Sequence, residues 1–402
     1  MKPASLPRGV WLLGFVSLLM DVSSEMIHSL LPLYLTVGLG ASAFAVGLIE
    51  GVAEAAALVV KVFSGALSDR LRQRKWITAA GYGLAAFSKP LFAIAQGPWL
   101  VFGARFLDRI GKGIRGAPRD ALIADITPAS IRGAAYGLRQ SLDTVGAFVG
   151  PLIAMALMLA WNDDFRAVFW VAVIPAILSF LLIMFPVKEP EKETGDRPLV
   201  PASKAAGASQ PRGTSGLSPV PWRRLGAAFW FVTAAGAALT LARFSEAFLI
   251  LRAENVGVAI AYTPLVLVAM NVVYALVAFP AGRLADRMSR AKLLAIGIAF
   301  LIAGDIALAL AGGVAMLGIG VVLWGLHMGL TQGLLAAMVA ESAPPDLRGT
   351  AFGIFNLASG VALLAASAIA GALWHYIGPA TTFWAGAALA AAALALTRFA
   401  RW

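Results

Sequence analysis

The chain of 402 residues contains no cysteine, which excludes disulfides, thiolate metal sites and cysteine nucleophiles. It is also poor in charge: 13% of its residues are charged, whereas soluble globular proteins have roughly 25%. No Walker loop, dinucleotide fingerprint, nucleophile elbow or zinc-binding helix motif is present. The sequence therefore gives no support for an ATP-driven pump or a membrane hydrolase. We predict a protein that is not an enzyme and that uses no cofactor.

Long apolar stretches make up most of the sequence, and 60% of the residues are hydrophobic. About twelve of these stretches have the roughly 20 residues that are needed to cross a bilayer. The first contains Asp21, Glu25 and His28, which a cleaved signal peptide would not contain, so we expect it to be retained as a span. We place the spans at 10–37, 43–68, 76–97, 98–117, 134–160, 166–187, 224–253, 259–285, 291–311, 313–341, 350–374 and 379–400.

A polar segment at 188–222 separates six of these spans from the other six. It is rich in Pro, Ser, Gly, Lys and Glu, and it cannot bury enough apolar surface to fold alone. We therefore predict an N-terminal six-helix bundle at 1–187, a flexible cytoplasmic linker at 188–222 and a C-terminal six-helix bundle at 223–402.

The net charge of +11 is distributed unevenly along the chain. If the N-terminus lies in the cytoplasm, most Lys and Arg outside the spans fall on that side, and the opposite side holds only Arg166 and Arg252. This asymmetry is the positive-inside pattern of a multi-pass protein with both termini in the cytoplasm. The excess of basic residues thus indicates how the chain is oriented in a lipid bilayer, and we expect no nucleic-acid partner.

A short phrase occurs once in each half: residues 65–70 read GALSDR and residues 282–287 read GRLADR. Each copy ends an apolar stretch and opens a basic one. A repeat of half the chain in an apolar protein indicates two similar bundles. The candidate residues of this motif are Gly65, Asp69, Arg70, Gly282, Asp286 and Arg287.

With this spacing and placement, the chain resembles the major facilitator superfamily, whose signature between spans 2 and 3 it reproduces in both halves. The resemblance covers essentially the whole chain. It implies an all-α membrane protein with 12 transmembrane helices in two pseudo-symmetric six-helix bundles that rock around a midplane cavity. It also implies a monomer in the bacterial inner membrane, in which the repeated phrase closes a cytoplasmic gate.

Span 5 carries a second pattern, formed by Gly137, Gly146, Gly150 and Pro151. It resembles the antiporter motif of superfamily exporters, in which glycines let span 5 pack tightly on its neighbour and the proline permits a bend. The family pattern continues with a glycine pair where this chain has Ala154-Met155. The alternative is that the small residues serve helix packing alone.

Charged side chains within the spans are the candidates for coupling, because a charge at membrane depth costs roughly 2.5–3.5 kcal/mol. We predict that Glu25 and Glu54 act as proton or substrate carboxylates. Arg105, which falls where the family has its coupling arginine, and Asp143 are their predicted partners. Fixed structural salt bridges are the alternative. The predicted cavity set is Asp21, Glu25, His28, Glu54, Arg105, Asp143 and Glu246.

Three further charged residues lie close to the ends of their spans. Glu50 is near the outer end of span 2, so we expect it to be solvated. Arg109 and Lys112 are near the cytoplasmic end of span 4, and we expect them to reach water by snorkelling.

We predict a secondary active transporter that exports a small organic or drug-like molecule by proton-coupled antiport. Polarity is concentrated in the first half, which suits an amphiphilic substrate. Three alternatives stay open: an exporter of a metal ion or chelate that uses Asp21, Glu25 and His28; a proton symporter for uptake; and a non-transporting membrane sensor or scaffold.

Overall fold

A computed structural model describes residues 6–71, 73–128, 131–187, 224–285, 288–344 and 347–398, and these ranges contain helices and no strand. The predicted linker at 188–222 lies outside the described residues, as do Asp286 and Arg287. The helices are α1 Arg8–His28, α2 Ala43–Leu71, α3 Arg74–Ile94, α4 Pro98–Ile126, α5 Arg132–Ala160, α6 Phe165–Met184, α7a Ala227–Ala242, α7b Ala247–Asn255, α8 Pro264–Ala285, α9 Arg290–Ala309, α10 Val314–Ser342, α11 Arg348–Tyr376 and α12 Pro379–Arg398.

Ten helical segments in the described part of the chain are long and apolar enough to cross a membrane. The fourth and twelfth predicted spans are the two outside this set. In α12 the apolar stretch is short, at Pro379–Ala395. In α4 the reason is charge, since one helix carries Arg105, Asp108, Arg109 and Lys112. A helix with this much charge is stable at membrane depth only if the charges face partners or water, so α4 must line an interior.

The same helix pairs pack in each half of the molecule. In the first half, α3 packs on α4 and α6, and α1 packs on α5 and α6. In the second half, α9 packs on α10 and α12, and α7a packs on α11 and α12. The partners of α1 and α3 are thus repeated, six spans later, by the partners of α7a and α9. This pairing is the two-bundle, all-α fold predicted from the repeat.

The two halves meet along α2 with α11 and along α5 with α8. The α2–α11 contact is close because glycines face backbone on both sides. A Cβ built on Gly47 would lie 2.2 Å from the carbonyl oxygen of Ser367, and one on Gly371 would lie 2.8 Å from that of Ala43. No larger residue fits these positions without moving the helices apart.

Spans 1 and 7 are not the continuous helices predicted at 10–37 and 224–253. After α1 ends at His28, a short turn at Leu31–Leu33 leads into a π-helical segment at Tyr34–Gly38. Pro32 explains this break, because it has no N–H to continue the helix. In span 7 the break lies at Arg243, whose backbone is extended between α7a and α7b.

The two arginines on the side opposite the basic loops each bind the C-terminal end of the third helix of their own half, α3 or α9. Arg166 Nη2 donates to the carbonyl oxygen of Ala95, just past α3, at 3.0 Å. Arg252 Nε donates to that of Leu308, in the last turn of α9, at 2.9 Å. A cation at a helix C-terminus satisfies free carbonyls and complements the helix dipole. These exceptions to the charge asymmetry are therefore helix caps.

Candidate functional site

A cavity of about 650 Å³ lies between the two bundles. Its wall runs from Glu25 in the second half of α1 to Asp120 and Arg139, near the ends of α4 and α5 on the side of the basic loops. We call it the central cavity. On the opposite side the bundles touch, because the Leu31–Leu33 turn contacts α7b and the outer end of α5 contacts the 260–262 turn. The cavity therefore opens towards the basic loops.

Two smaller spaces adjoin the central cavity and share wall residues with it. The first, about 270 Å³, reaches towards the closed side and includes His28 and Glu246; we call it the deep chamber. The second, about 370 Å³, extends between α2, α7a, α10 and α11, and we call it the second-half chamber. Lys112 borders the central cavity and the deep chamber, and Lys61 borders the central cavity and the second-half chamber.

Arg105 is the centre of a buried ion network beside these spaces. Its Nη2 donates to Glu50 Oε2 at 2.7 Å and lies 3.4 Å from Glu54 Oε1. Arg109 Nη1 lies 3.1 Å from the same Glu54 oxygen. Arg105 and Glu50 are each 1% exposed, whereas Glu54 is 27% exposed on the cavity wall. One buried arginine is therefore shared by an enclosed carboxylate and a water-accessible one.

The network continues into the bundle through Asp108. Lys89 Nζ donates to Asp108 Oδ1 at 2.8 Å and to Ser24 Oγ at 2.9 Å, which joins α1, α3 and α4. The other Asp108 oxygen lies 3.1 Å from Arg109 Nη2. Each buried charge of the group thus has an opposite partner, which offsets part of its desolvation cost.

His28 links the network to the cavity on the α1 side. Its Nδ1 lies 3.3 Å from Glu25 Oε2, and its Nε2 lies 3.9 Å from Glu50 Oε2. The imidazole thus stands between a cavity carboxylate and the partner of Arg105. A proton on His28 would change the charge seen by both carboxylates.

The predicted cavity residues occupy different positions. Asp21, Glu25, Glu54 and Asp143 line the central cavity, while His28 and Glu246 line the deep chamber. Arg105 is behind the wall and borders none of these spaces among the described residues. Of the two predicted partners of Glu25 and Glu54, Arg105 lies 3.4 Å from Glu54. Asp143 pairs elsewhere, because its Oδ2 lies 2.9 Å from Arg139 Nη1, one turn away on α5.

Two expectations about span ends are also wrong. Glu50 is 1% exposed and is the closest acidic partner of Arg105, so it is not solvated. Arg109 is 3% exposed and binds Glu54 and Asp108, so it does not snorkel. Lys112 is exposed to the cavity, as expected of a group that reaches water. Glu50 was missed because linear position within a span does not show which face of the helix turns inward.

A helical register would have pointed to Glu50. Glu50 and Glu54 are spaced i, i+4, as are Arg105 and Arg109, so each pair occupies one helix face. Two acids at this spacing on α2 match two arginines at the same spacing on α4.

The Lys89–Asp108 pair has a counterpart in the second half, where Trp324 Nε1 donates to the buried Asp305 Oδ1 at 2.8 Å between α9 and α10. Lys89 with Asp108 and Asp305 with Trp324 are both separated by 19 residues.

The glycine pattern of span 5 sets the position of the cavity acids on α1. A Cβ on Gly146 would lie 2.8 Å from the carbonyl oxygen of Leu18 and 2.9 Å from Asp21 Cβ. One on Gly150 would lie 2.7 Å from the carbonyl oxygen of Val22 and 2.9 Å from Glu25 Cβ. These glycines seat α5 directly against the acid-bearing face of α1.

One other member of the pattern behaves differently from expectation. Gly137 has open space where a Cβ would be, so the expected close packing is wrong there. Pro151 lies inside α5, which runs from Arg132 to Ala160, and the bend expected there stays a prediction. Close packing is thus confined to Gly146 and Gly150.

The repeated phrase lies at the basic-side ends of α2 and α8. Gly65 approaches α4, since a Cβ there would lie 3.3 Å from Ala117 Cβ. Asp69 is in the last turns of α2, Arg70 is exposed, and Gly282 is in α8. Their gating role stays a prediction.

A two-bundle helical fold around a charged cavity that opens to one side defines a membrane transporter. Comparison with known proteins gives the family. The family model described as Major Facilitator Superfamily matches residues 13–251 and 227–402, and the chain belongs to that family.

Relatives and solved structures agree with this assignment. An uncharacterised MFS-type transporter of Methanocaldococcus jannaschii is 30% identical over 96% of this chain and 93% of its own length. Multidrug resistance protein MdtH of Yersinia pestis is 30% identical over 40% of this chain and 39% of its own. The crystal structure of the nucleoside transporter NupG superposes with a TM-score of 0.73 at 14% identity, over 98% of both chains, and so shares the fold.

Proposed function

We propose that this transporter is a proton-coupled antiporter that exports a small organic molecule from the cytoplasm. It would work as a monomer in the bacterial inner membrane, with both termini and the basic loops inside. The cavity then opens to the cytoplasm, where an export substrate is collected. The partial similarity to a multidrug resistance protein supports efflux.

The observation that carries the proposal is the position of Arg105 between Glu50 and Glu54. Glu54 is reached by cavity water, so it can take up a proton. Once it is neutral, Arg105 and Arg109 lose its attraction, and Arg105 keeps Glu50 and, at 3.9 Å, Asp108. Proton binding at the wall would thereby change the contacts between α2 and α4.

Substrate and proton would be carried in opposite directions by the same cavity. Glu25 and Glu54 face the cavity on α1 and α2, and His28 connects Glu25 with the network. With these groups charged, bound substrate would carry the protein to the opposite opening, and protons that bind them from that side would carry it back. This exchange requires no covalent chemistry and no cofactor.

Among the alternatives, metal export has the least geometric support. In the residues that the structure describes, no three His, Cys, Asp or Glu side chains are grouped so as to hold a metal ion. Asp21, Glu25 and His28 are included in that search. A metal chelate would be recognised by its organic shell and falls under the main proposal.

The proposal is tested first by a resistance screen that compares an expressing strain with a deletion strain against organic compounds and metal salts. The best organic hit is then followed in everted vesicles, in which the cytoplasmic face is outside. We expect an acid-inside gradient to drive uptake of the compound and its collapse to release it. Uptake driven by an acid-outside gradient would indicate symport, and resistance to metal salts alone would favour the metal exporter. Absence of any transport would favour a sensor.

A further inference from the structure

We infer that the second-half chamber binds an anion with an apolar body, and that Lys61 and Arg243 hold its negative charge. This inference rests on the proposed function and deepens it, because it gives the chemical class of the exported molecule. A carboxylate or sulfonate on an aromatic or aliphatic group fits this description.

The first argument is the charge of the chamber wall. Lys61 on α2 and Arg243 at the break after α7a are the two charged side chains that border it, and no acid borders it among the described residues. The central cavity and the deep chamber, by contrast, contain acids and bases together. A chamber of about 370 Å³ with two cations and no acid repels a cation and attracts an anion.

The second argument is that both cations are available. Within the described part of the chain, neither Lys61 nor Arg243 makes an ion pair, although four other cations at or behind the cavity walls do: Arg105, Arg109, Arg119 and Arg139. Membrane proteins seldom leave a charge unpaired at this depth unless it serves a ligand or a pathway. Arg243 reaches the chamber because the helix stops there, and Lys61 extends past Gly116.

The third argument is the remainder of the wall, which suits an apolar body. Leu239, Leu335, Phe352 and Phe355 supply its apolar surface. Phe355 is held in place against Gly236, where a Cβ would lie 2.4 Å from the ring. The Oγ atom of Ser359 is buried at the chamber without a hydrogen-bond partner, and could bind a polar atom of the ligand.

The inference is tested on the purified full-length protein in lipid nanodiscs with three probes that share one apolar body. These are phenylbutyrate, phenylbutanol and phenylbutylamine, which are anionic, neutral and cationic at pH 7. Binding is measured by isothermal titration calorimetry without a proton gradient. We expect phenylbutyrate to bind about tenfold tighter than the other two, since charge-assisted contacts are the strong ones.

Variants then locate the anion. Lys61→Gln and Arg243→Gln should each weaken phenylbutyrate binding about tenfold and leave phenylbutanol binding unchanged. Lys61→Arg should keep the preference for the anion. Lys292→Gln removes an exposed cation on α9, away from the chamber, and should bind all three probes like the unchanged protein.

Equal binding of the three probes, tighter binding of the amine, or no phenylbutyrate binding at millimolar concentration would overturn the inference. So would unchanged phenylbutyrate binding by both glutamine variants. If these variants fail to fold, the probe comparison on the unchanged protein still decides. Anion preference without proton-driven export would refute the antiport alone, and proton-driven export without anion preference would refute the anion chamber alone.

Discussion

Replacing Arg105 with glutamine isolates one buried carboxylate, that of Glu50. The other acids near Arg105 keep a cation: Glu54 keeps Arg109 at 3.1 Å, and Asp108 keeps Arg109 and a lysine. At 2.7 Å and an effective dielectric constant of about 20, the attraction between Arg105 and Glu50 is about 6 kcal/mol before desolvation. Removing one partner of a buried pair costs about 3–5 kcal/mol. We expect Arg105→Gln to lower the free energy of unfolding by that amount.

The double variant Glu50→Gln/Arg105→Gln separates this cause from loss of packing. It has no uncompensated charge at this position, so it should recover more than half of the lost stability. Lys292→Gln, on an exposed face of α9, should change stability by less than about 0.5 kcal/mol. Reversible unfolding in mixed micelles with increasing dodecyl sulfate, followed by circular dichroism, gives the three free energies.

Two results would refute this reasoning. One is a single variant that is destabilised by less than about 1 kcal/mol, since the pair would then not be enclosed as the structure shows. The other is a double variant no more stable than the single one. In that case His28, whose Nε2 lies 3.9 Å from Glu50, would be holding the carboxylate after Arg105 is lost.

Three further predictions concern coupling, packing and the second half. Glu25→Gln and Glu54→Gln should each flatten the pH dependence of export in everted vesicles, and unchanged profiles for both would contradict the coupling role. Gly150→Ala should cost about 1–3 kcal/mol and slow transport, because its Cβ would lie 2.7 Å from a carbonyl oxygen, whereas Gly137→Ala, with open space around it, should be tolerated. Similar losses in both would contradict close packing as the cause, and helix propensity could not explain them, since alanine favours a helix more than glycine does. Asp305→Asn keeps an acceptor for Trp324 and leaves no cation unpaired, so its free energy of unfolding should stay within about 1 kcal/mol of that of the unchanged protein. A larger loss in the same unfolding assay would show that the carboxylate of Asp305 is charged.

The fold could be predicted because the features that determine it recur at regular intervals along the sequence. Spans follow from the length of apolar stretches, and the two halves follow from the phrase repeated at Gly65 and Gly282. The breaks in spans 1 and 7 could not be predicted as readily. Pro32 is a local signal for the first break, but at Arg243 the helix ends without a proline, and only the packing of both bundles decides where it stops.

The candidate site was predictable by residue and only in part by pairing. The acids Asp21, Glu25 and Glu54 do face the central cavity, and Arg105 does lie beside Glu54. The remaining partners depend on which helix faces are neighbours in space, which the linear sequence does not show. For this reason Glu50 was expected in water although it binds Arg105, and Asp143 was expected beside Glu25 and Glu54 although it pairs with Arg139.

The caps formed by Arg166 and Arg252 have a consequence for how the closed side can open. Each arginine binds carbonyl oxygens within its own bundle, Arg166 at Ala95 and Arg252 at Leu308. Within the described ranges, neither one bonds across to the other half. The strong polar contacts on this face thus stiffen each bundle as a separate body, while the seam between the bundles is held by apolar contact at the Leu31–Leu33 turn. The seam can part and reseal without breaking either cap, so opening this face need not disturb the fold of either bundle.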